Sequence, residues 1–348
     1  MLDRWVAGRI GCAEALPRAD VEAWQLARIN ETVAWARAHS SFYRERLPQT
    51  RLTSLRGMAA LPLMTPEDLR RHGMELLCTP AHQVARIVTL TTNGSTGAPK
   101  RICFTAREQE DTVEYFQHGM AEFVHAGERV MSLFPGDSPG SLNDLLFRAL
   151  RRLGTEPVLF GYPSPERQEE LLRAVIRDGI SFLVGPPGAI AAAARLSRGL
   201  GLAEQTAERI RGVLLAAEYV PPEERAQIED IWSCRVDEHY SMTETGLAGA
   251  VGCCVPGGYH IWESDLYYEI IDPETLAPCA AGERGEIVVT TLTRRAMPFI
   301  RYRTGDYSRF LPGRCPCGSR LLRLGRVEAR AEKKVFASRR PADDAARF

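Results

Sequence analysis

The sequence has no excess of charge of either sign, no long apolar run and no P-loop motif. Lys+Arg and Asp+Glu each number 44 in 348 residues, which disfavours a protein that binds nucleic acid through a basic surface. No apolar stretch approaches the roughly 18 residues that a membrane helix needs, and acidic residues interrupt the N-terminal segment, unlike a signal peptide. The sequence therefore predicts a cytoplasmic protein with neither a nucleic-acid partner nor a membrane partner.

The sequence does contain an alternation of strand-like and helical segments. Short apolar strands separated by helices of roughly 10–15 residues indicate βαβ units and a largely parallel sheet. An amphipathic helix is predicted over residues 20–38, with Asp20 as its N-cap. After residue 248, strand-like segments follow one another without a long helix. The predicted fold is α/β, with a core over 1–247, a smaller antiparallel β subdomain over 248–328 and a disordered charged tail over 329–348.

The segment TTNGSTGAPKR, from Thr91 to Arg101, combines two glycines, four hydroxyl residues and a lysine. Backbone amides and hydroxyls with one lysine can cradle an anion, and phosphate is the usual anion. The spacing differs from G-x-x-x-x-G-K-[ST], so the loop is not the P-loop of kinases and GTPases. A surface turn rich in Gly, Ser and Thr is the alternative explanation.

Three further stretches carry residues suited to nucleotide chemistry. YSMTETG (Tyr240–Gly246) places a glutamate between two threonines, a set that suits Mg²⁺ and a phosphate. PFIRYRTGDYSR (Pro298–Arg309) contains Asp306, whose carboxylate can accept hydrogen bonds from a sugar diol. LLAAEYV (Leu214–Val220) is a buried strand that ends just before a helix, where open α/β sheets bind ligands. A polar turn and a hairpin turn are the alternatives for the first two.

The nine cysteines suggest reduced thiols or metal ligands, because no secretion signal accompanies them. Cys315 and Cys317 form a C-x-C pair, and Cys253 and His260 lie seven residues apart around a Pro-Gly-Gly turn. Three cysteines and one histidine suit a structural, tetrahedral zinc ion. Cys254 can replace Cys253 in such a set. Free buried cysteines are the alternative.

Taken in order, these stretches resemble the motifs of the adenylate-forming enzymes, in particular the phenylacetate–coenzyme A ligase branch. That family carries a Ser/Thr/Gly-rich loop ending in P-K or P-T, followed by G-A-E-P, Y-G-x-T-E, G-x-H-x-W-E, Y-R-T-G-D, C-x-C-G and G-R-x-D. This chain reads TNGSTGAPK, AAEY, YSMTE, GYHIWE, YRTGD, CPCG and GRVE. The likeness runs from about Phe42 to about Lys334.

The resemblance implies roles for individual residues. The loop ending at Lys100 would embrace the β- and γ-phosphates of ATP, and the AAEY turn would lie against the adenine. Thr243 would contact the α-phosphate and Glu244 would bind Mg²⁺, so Lys100, Thr243 and Glu244 are the implied catalytic residues. Tyr240 would stack on the base. The implied nucleotide-binding residues are Thr92, Gly94, Ser95, Thr96, Gly97, Ala217, Glu218, Tyr219, Tyr240, Asp306 (ribose diol) and Arg326 (near the ribose). The branch's C…H…C-x-C arrangement implies a structural zinc ion on Cys253, His260, Cys315 and Cys317.

The implied activity is AMP-forming adenylation of a small, aromatic or other, carboxylic acid with ATP and Mg²⁺, followed by thioester formation with coenzyme A. One alternative is an enzyme that stops at the acyl-adenylate or passes the acyl group or AMP to another acceptor. Another is a nucleotide-binding scaffold without turnover. His239, beside Tyr240, is a candidate for the acyl pocket.

The chain departs from the family pattern at several positions. Tyr219 stands where proline is usual, Ser241 where glycine is usual, and Glu328 in place of the hinge aspartate. Twenty residues follow Glu328, where relatives carry a small C-terminal domain that closes over the nucleotide. We therefore expect a separate protein to supply that lid or to accept the acyl group.

Overall fold

The computed structural model describes residues 2–90, 99–136, 138–253, 255 and 257–328. The α-helices in these residues are α1 (Leu2–Ile10), α2 (Arg18–His39), α3 (Ser41–Arg46), α4 (Pro66–His72), α5 (Ala106–Met120), α6 (Leu142–Arg152), α7 (Gln168–Arg177), α8 (Pro187–Gly199), α9 (Ala203–Ala207) and α10 (Pro222–Trp232). The strands are β1 (Val84–Leu90), β2 (Lys100–Thr105), β3 (Arg129–Ser132), β4 (Glu156–Leu159), β5 (Phe182–Gly185), β6 (Gly212–Leu215), β7 (Arg235–Ser241), β8 (Gly249–Gly252), β9 (Gly258–Ile261), β10 (Leu266–Ile271), β11 (Gly285–Thr291), β12 (Tyr302–Ser308) and β13 (Arg323–Gly325). Within this described part, no helix combines the length and the apolar character needed to cross a membrane.

One large sheet organises the fold, in the strand order β13-β9-β8-β7-β6-β5-β3-β4. Strands β4, β3, β5, β6 and β7 pair in parallel, and β8, β9 and β13 extend the sheet antiparallel. The parallel strands are separated in sequence by helices, as βαβ units require. The predicted α/β class is therefore confirmed.

Successive side chains of a strand point to opposite sides of the sheet. Because both sides of the parallel strands are apolar, helices cover both faces. In β5, Phe182 and Val184 pack in the core that includes Val113 of α5 and Leu145 of α6. Leu183, between them, packs in the opposite core with residues of α7, α8 and α10. The apolar run of β5 is buried throughout, which is typical of a strand covered on both faces.

Two smaller antiparallel sheets complete the structure. Strands β1 and β2 form a pair, and β10, β11 and β12 form a three-stranded sheet. Their buried side chains, with those of α2, form a third core. Of the strands after residue 248, β8, β9 and β13 continue the large sheet, and only β10–β12 form a separate one. The division of the chain at residue 247 stays a prediction.

Capping boxes fix where two helices begin, α4 and α5. Thr65 caps α4: its hydroxyl accepts the amide of Asp68 at 3.1 Å, and its own amide donates to the Asp68 carboxylate at 2.7 Å. A second capping box starts α5. The predicted N-cap Asp20 is wrong, because α2 begins at Arg18 after Pro17. Asp20 lies in the first turn instead, where a carboxylate interacts favourably with the helix dipole.

Candidate functional site

A cavity of about 700 Å³ lies at the carboxyl edge of the parallel strands. Its wall includes Phe134 after β3, Ala216 after β6, and His239 and Ser241 on β7. The carboxyl ends of parallel strands meet at one edge of a sheet, and ligands of open α/β folds bind there. The predicted motif stretches at the ends of β6 and β7 therefore converge on one cavity.

Lys100, Glu244 and Tyr302 meet on the wall of this cavity, although they lie far apart in sequence. The Lys100 ammonium is 3.2 Å from Oε1 of Glu244 and 3.2 Å from the Tyr302 hydroxyl. Tyr302 also donates to the same carboxylate oxygen at 2.9 Å. Both Glu244 and Tyr302 are buried. The result is a partly desolvated carboxylate that is compensated by one cation and one phenol.

Arg294 fixes the backbone that carries Glu244. Its buried guanidinium donates to the carbonyl oxygens of Glu244 and Cys103, each at 2.8 Å. The carbon of the same guanidinium lies 4.4 Å from the ring centroid of Phe104. Because Cys103 and Phe104 belong to β2, the strand that starts at Lys100, Arg294 ties the elements of Lys100 and Glu244 together.

Tyr240 and Asp306 form a second polar pair. The Tyr240 hydroxyl donates to Oδ2 of Asp306 at 3.0 Å, and the amide of Asp306 donates to the Thr304 hydroxyl at 3.0 Å. Burial, followed by the Asp306 charge, raises the pKa of Tyr240 well above its ordinary value, so the phenol keeps its proton. The pair joins β7 to β12.

The AAEY turn follows β6 at the same edge. Ala217 lines the cavity and has φ 73°, in the left-handed region that costs a non-glycine residue roughly 1–3 kcal/mol. Glu218 and Tyr219 are exposed beside it. Thr243 lies next to Glu244 on the cavity wall. The structure therefore brings Ala217 and Thr243 to the cavity that is also lined by Lys100 and Glu244. The nucleotide contacts assigned to Ala217 and Thr243 stay predictions.

Arg326 lies elsewhere. Its guanidinium is 3.1 Å from Oε1 of Glu238 and lines a second cavity of about 400 Å³ with Glu238 and Tyr259. The predicted position beside a ribose is untested. The predicted phosphate-loop residues lie outside the described residues, namely Thr92, Gly94, Ser95, Thr96 and Gly97. The described ends of that loop, Leu90 and Lys100, are paired in the β1–β2 sheet.

The predicted zinc ligands converge into one cluster. One ligand atom from each of Cys253, His260, Cys315 and Cys317 lies within 4.8 Å of all the others. Sγ of Cys253 is 3.4 Å from Sγ of Cys315, and Sγ of Cys317 is 3.3 Å from Nε2 of His260. The cluster joins the end of β8, strand β9 and the loop before β13. Cys254 lies outside the described residues.

Three side chains that build the site were not predicted from the sequence, namely Arg294, Tyr302 and Tyr115, whereas the acyl-pocket candidate His239 does line the cavity. Tyr302 stands directly before R-T-G-D, so its position in that motif was a usable signal. Tyr115 and His239 are 124 residues apart, yet their hydroxyl and Nε2 are 2.8 Å apart. No local pattern marks Arg294 or Tyr115, because their partners come from other elements of the fold.

Comparison with known proteins agrees with this geometry. The AMP-binding enzyme family matches residues 45–293. The phenylacetate–coenzyme A ligase of Thermus thermophilus is 28% identical over 336 residues, which cover 93% of this chain and 73% of the relative. The phenylacetate–coenzyme A ligase of Escherichia coli K12 is 26% identical over 332 residues, covering 91% of this chain and 72% of the relative.

Solved structures show the same fold. A 2-hydroxyisobutyryl-CoA ligase in complex with 2-HIB-AMP and CoA superposes with a TM-score of 0.82 at 21% identity, over 91% of this chain and 69% of that chain. A long-chain-fatty-acid-CoA ligase from Archaeoglobus fulgidus gives a TM-score of 0.54 at 16% identity, over 74% of this chain and 54% of that chain. The predicted resemblance to adenylate-forming enzymes is confirmed, and the chain belongs to the AMP-binding enzyme family.

Proposed function

We propose that this protein activates a carboxylic acid by adenylation. The acid's carboxylate oxygen attacks the α-phosphorus of ATP, the bond from that phosphorus to the bridging oxygen of pyrophosphate breaks, and acyl-adenylate and pyrophosphate are formed. The observation that carries this proposal is the group of Lys100, Glu244 and Tyr302 on the wall of a cavity that is otherwise largely apolar. Charged groups for phosphates thus adjoin a space for the uncharged body of an acid.

The chain's own residues would act by placing and neutralising anions, since no side-chain nucleophile is needed. Lys100 is held at the site by Glu244 and Tyr302, from which its ammonium can turn to a phosphate and offset the charge on the leaving pyrophosphate. Glu244, beside the Thr243 hydroxyl, would hold Mg²⁺, because a carboxylate with hydroxyl neighbours is a suitable donor set for a hard cation. Bound Mg²⁺ would supply further neutralisation of phosphate charge.

We propose that the nucleoside lies along Tyr240 and Asp306. The Asp306 carboxylate already accepts one hydrogen bond from the Tyr240 phenol, which orients it. A carboxylate held in this way can accept the hydroxyls of a ribose. The exposed Ala217–Tyr219 turn would lie against the base.

We propose coenzyme A as the acceptor of the acyl group: its thiolate sulfur attacks the acyl carbon and AMP leaves. Two relatives with 26% and 28% identity are named phenylacetate–coenzyme A ligases, which supports this acceptor. Release of AMP that depends on added coenzyme A tests it. Transfer to a thiol of a partner protein is the competing outcome.

We also propose one structural zinc ion on Cys253, His260, Cys315 and Cys317. The spacing of the four ligand atoms fits tetrahedral ligation, in which Zn–S distances are about 2.3 Å and Zn–N distances about 2.0 Å. The amide of Val255 donates to Sγ of Cys253 at 3.3 Å, a contact that favours a thiolate. Four protein ligands leave no open position for a substrate, so the ion would hold the edge of the large sheet.

The test of adenylation is exchange of labelled pyrophosphate into ATP, measured with a panel of carboxylic acids. Glu244→Gln keeps the shape of the side chain and removes its charge, so exchange with the best acid should fall on the order of 10²-fold or more. Glu170→Gln on the exposed face of α7 is the matched control and should exchange normally. ATP binding without exchange for any acid would support a non-catalytic scaffold instead.

A further inference from the structure

The inner wall of the large cavity is apolar and carries one imidazole. Side chains from α5, the turn after it, α6 and β6 form this wall, including Phe116, Met120, Phe123, Leu145, Leu146 and Leu214. Among the described lining residues, the charged side chains are Arg86, Lys100 and Glu244, and none of them belongs to α5, α6 or β6. His239 is therefore an unusual polar group in its surroundings.

The position of His239 follows from the alternation of side chains along β7. His239 and Ser241 line the cavity, and Tyr240 between them points to Asp306. The imidazole packs edge to face with Phe116, with ring centroids 6.4 Å apart, and lies 5.6 Å from the Tyr115 ring. The ring is thus fixed by aromatic neighbours and remains accessible from the cavity.

The hydrogen bonds of Tyr115 favour one position for the proton of His239. The amide of Gly249 donates to the Tyr115 oxygen at 2.9 Å, so the phenol proton is left to donate. Nε2 of His239, at 2.8 Å, is its acceptor among the described residues. Burial raises the pKa of Tyr115 well above its ordinary value and lowers the pKa of His239 to about 4. We therefore assign a neutral imidazole at neutral pH, with its proton on Nδ1.

The Nδ1–H group has no hydrogen-bond partner among the described residues. A ligand that displaces water from a donor in an apolar wall binds less tightly if it does not replace the lost hydrogen bond. Such a group favours ligands that carry an acceptor at the matching place. A neutral donor favours an uncharged acceptor, because the imidazole itself has no positive charge to pair with a second carboxylate.

We propose that His239 is a specificity-determining residue that donates from Nδ1 to an uncharged oxygen or nitrogen acceptor on the body of the acid. This inference rests on the proposed adenylation of a carboxylic acid in the same cavity. The preferred substrates are then acids that carry such an acceptor away from the carboxylate. A pure hydrocarbon acid of the same size is the poorer substrate, by roughly tenfold in kcat/KM for one neutral hydrogen bond. Tyr115 is a positioning residue, because it acts by fixing the tautomer of His239.

The first test compares matched acids in pyrophosphate exchange. Phenylacetate is compared with the three pyridylacetates, in which a ring nitrogen replaces one CH, and cyclohexylacetate with its ring-oxygen analogues. We expect one of the acids with a ring nitrogen or oxygen to be preferred over its hydrocarbon match by roughly tenfold in kcat/KM. His239→Phe should abolish the preference, and Tyr115→Phe should weaken it. Met120→Leu, which changes the same wall without touching a donor, should keep it. An equal preference in wild type and His239→Phe overturns the inference.

The second test does not depend on turnover. Protein labelled with ¹⁵N-histidine is observed by NMR, and the His239 signals are assigned by their loss in His239→Phe. We expect a neutral ring with its proton on Nδ1 at pH 7, whose signal shifts with the preferred acceptor-bearing acid and not with its hydrocarbon match. A proton on Nε2, or an equal response to both acids, overturns the inference. Absence of exchange with every acid overturns the proposed adenylation instead, and the NMR comparison across every matched pair of acids still decides the role of His239.

Discussion

The hydroxyl of Tyr302 lies 2.9 Å from Oε1 of Glu244, and the Lys100 ammonium lies 3.2 Å from both groups. The phenol thus helps a single carboxylate oxygen to accept two donors in a buried setting. Among the described side chains, removal of the phenol leaves Lys100 in direct contact with the Glu244 carboxylate. The first prediction follows from this contact.

Tyr302→Phe should lower acid-dependent pyrophosphate exchange by roughly tenfold to a hundredfold, the effect of losing one hydrogen bond to a charged group. The ring, which packs against Phe299 at 5.3 Å between centroids, stays in place. Tyr307→Phe on the same strand is the control, because that ring lies under Arg284, 4.5 Å away. Exchange at the wild-type rate in Tyr302→Phe would show that the phenol does not support the site.

Arg294→Met should destabilise the fold. The variant leaves the carbonyl oxygens of Glu244 and Cys103 without their buried donor. Each unsatisfied buried acceptor destabilises the folded state by about 1–3 kcal/mol. We expect the free energy of unfolding in urea to fall by a total of about 2–5 kcal/mol. Arg295→Met is the neighbouring control, since that side chain is 45% exposed and should change stability by less than about 1 kcal/mol. Equal effects of the two substitutions would contradict the role given to Arg294.

The sequence predicted the α/β class because short apolar runs such as Phe182–Gly185 alternate with helical segments of roughly 10–15 residues. It also predicted Lys100 and Glu244 as site residues, because the order of the motifs identifies both although they are 144 positions apart. The network of Tyr115 and His239 could not be predicted in this way. It depends on how α5 packs against β7, and neither segment shows that packing by itself. The clustering of Cys253 and His260 with Cys315 was predictable because the types and number of ligands suit one ion.

Elemental analysis of the purified protein should find one zinc ion per chain. Cys317→Ser should lose the ion and lower the melting temperature, because metal binding at such a site contributes to folding. Cys279→Ser is the control: this thiol lies outside the four-residue cluster and should leave the zinc content unchanged. Metal-free protein whose melting temperature does not respond to a chelator would rule out the structural ion.

Stability should fall in mild acid partly because of His118 on α5. Its ring packs 4.9 Å from Trp5 of α1, and burial, followed by the charge of Arg9, lowers its pKa to about 4. The unfolded chain, with an ordinary histidine pKa near 6.5, binds more protons than the folded protein between pH 6.5 and 4. The contribution of neutral His118 to the free energy of unfolding is therefore complete above pH 6.5. It is lost as the pH falls from 6.5 to 4.

The loss from His118 has an upper limit of about 3 kcal/mol, and solvent reduces it because the ring is only half-buried. His118→Gln cannot take up this proton, so its free energy of unfolding should decrease less than that of wild type between pH 7 and pH 5. His82→Gln, which changes an exposed histidine, should follow the wild-type curve. Urea unfolding at several pH values measures all three. If the free energy of unfolding of His118→Gln changes with pH as steeply as that of wild type, protonation of His118 does not destabilise the folded protein. Burial beside Trp5 then does not lower the pKa of this histidine.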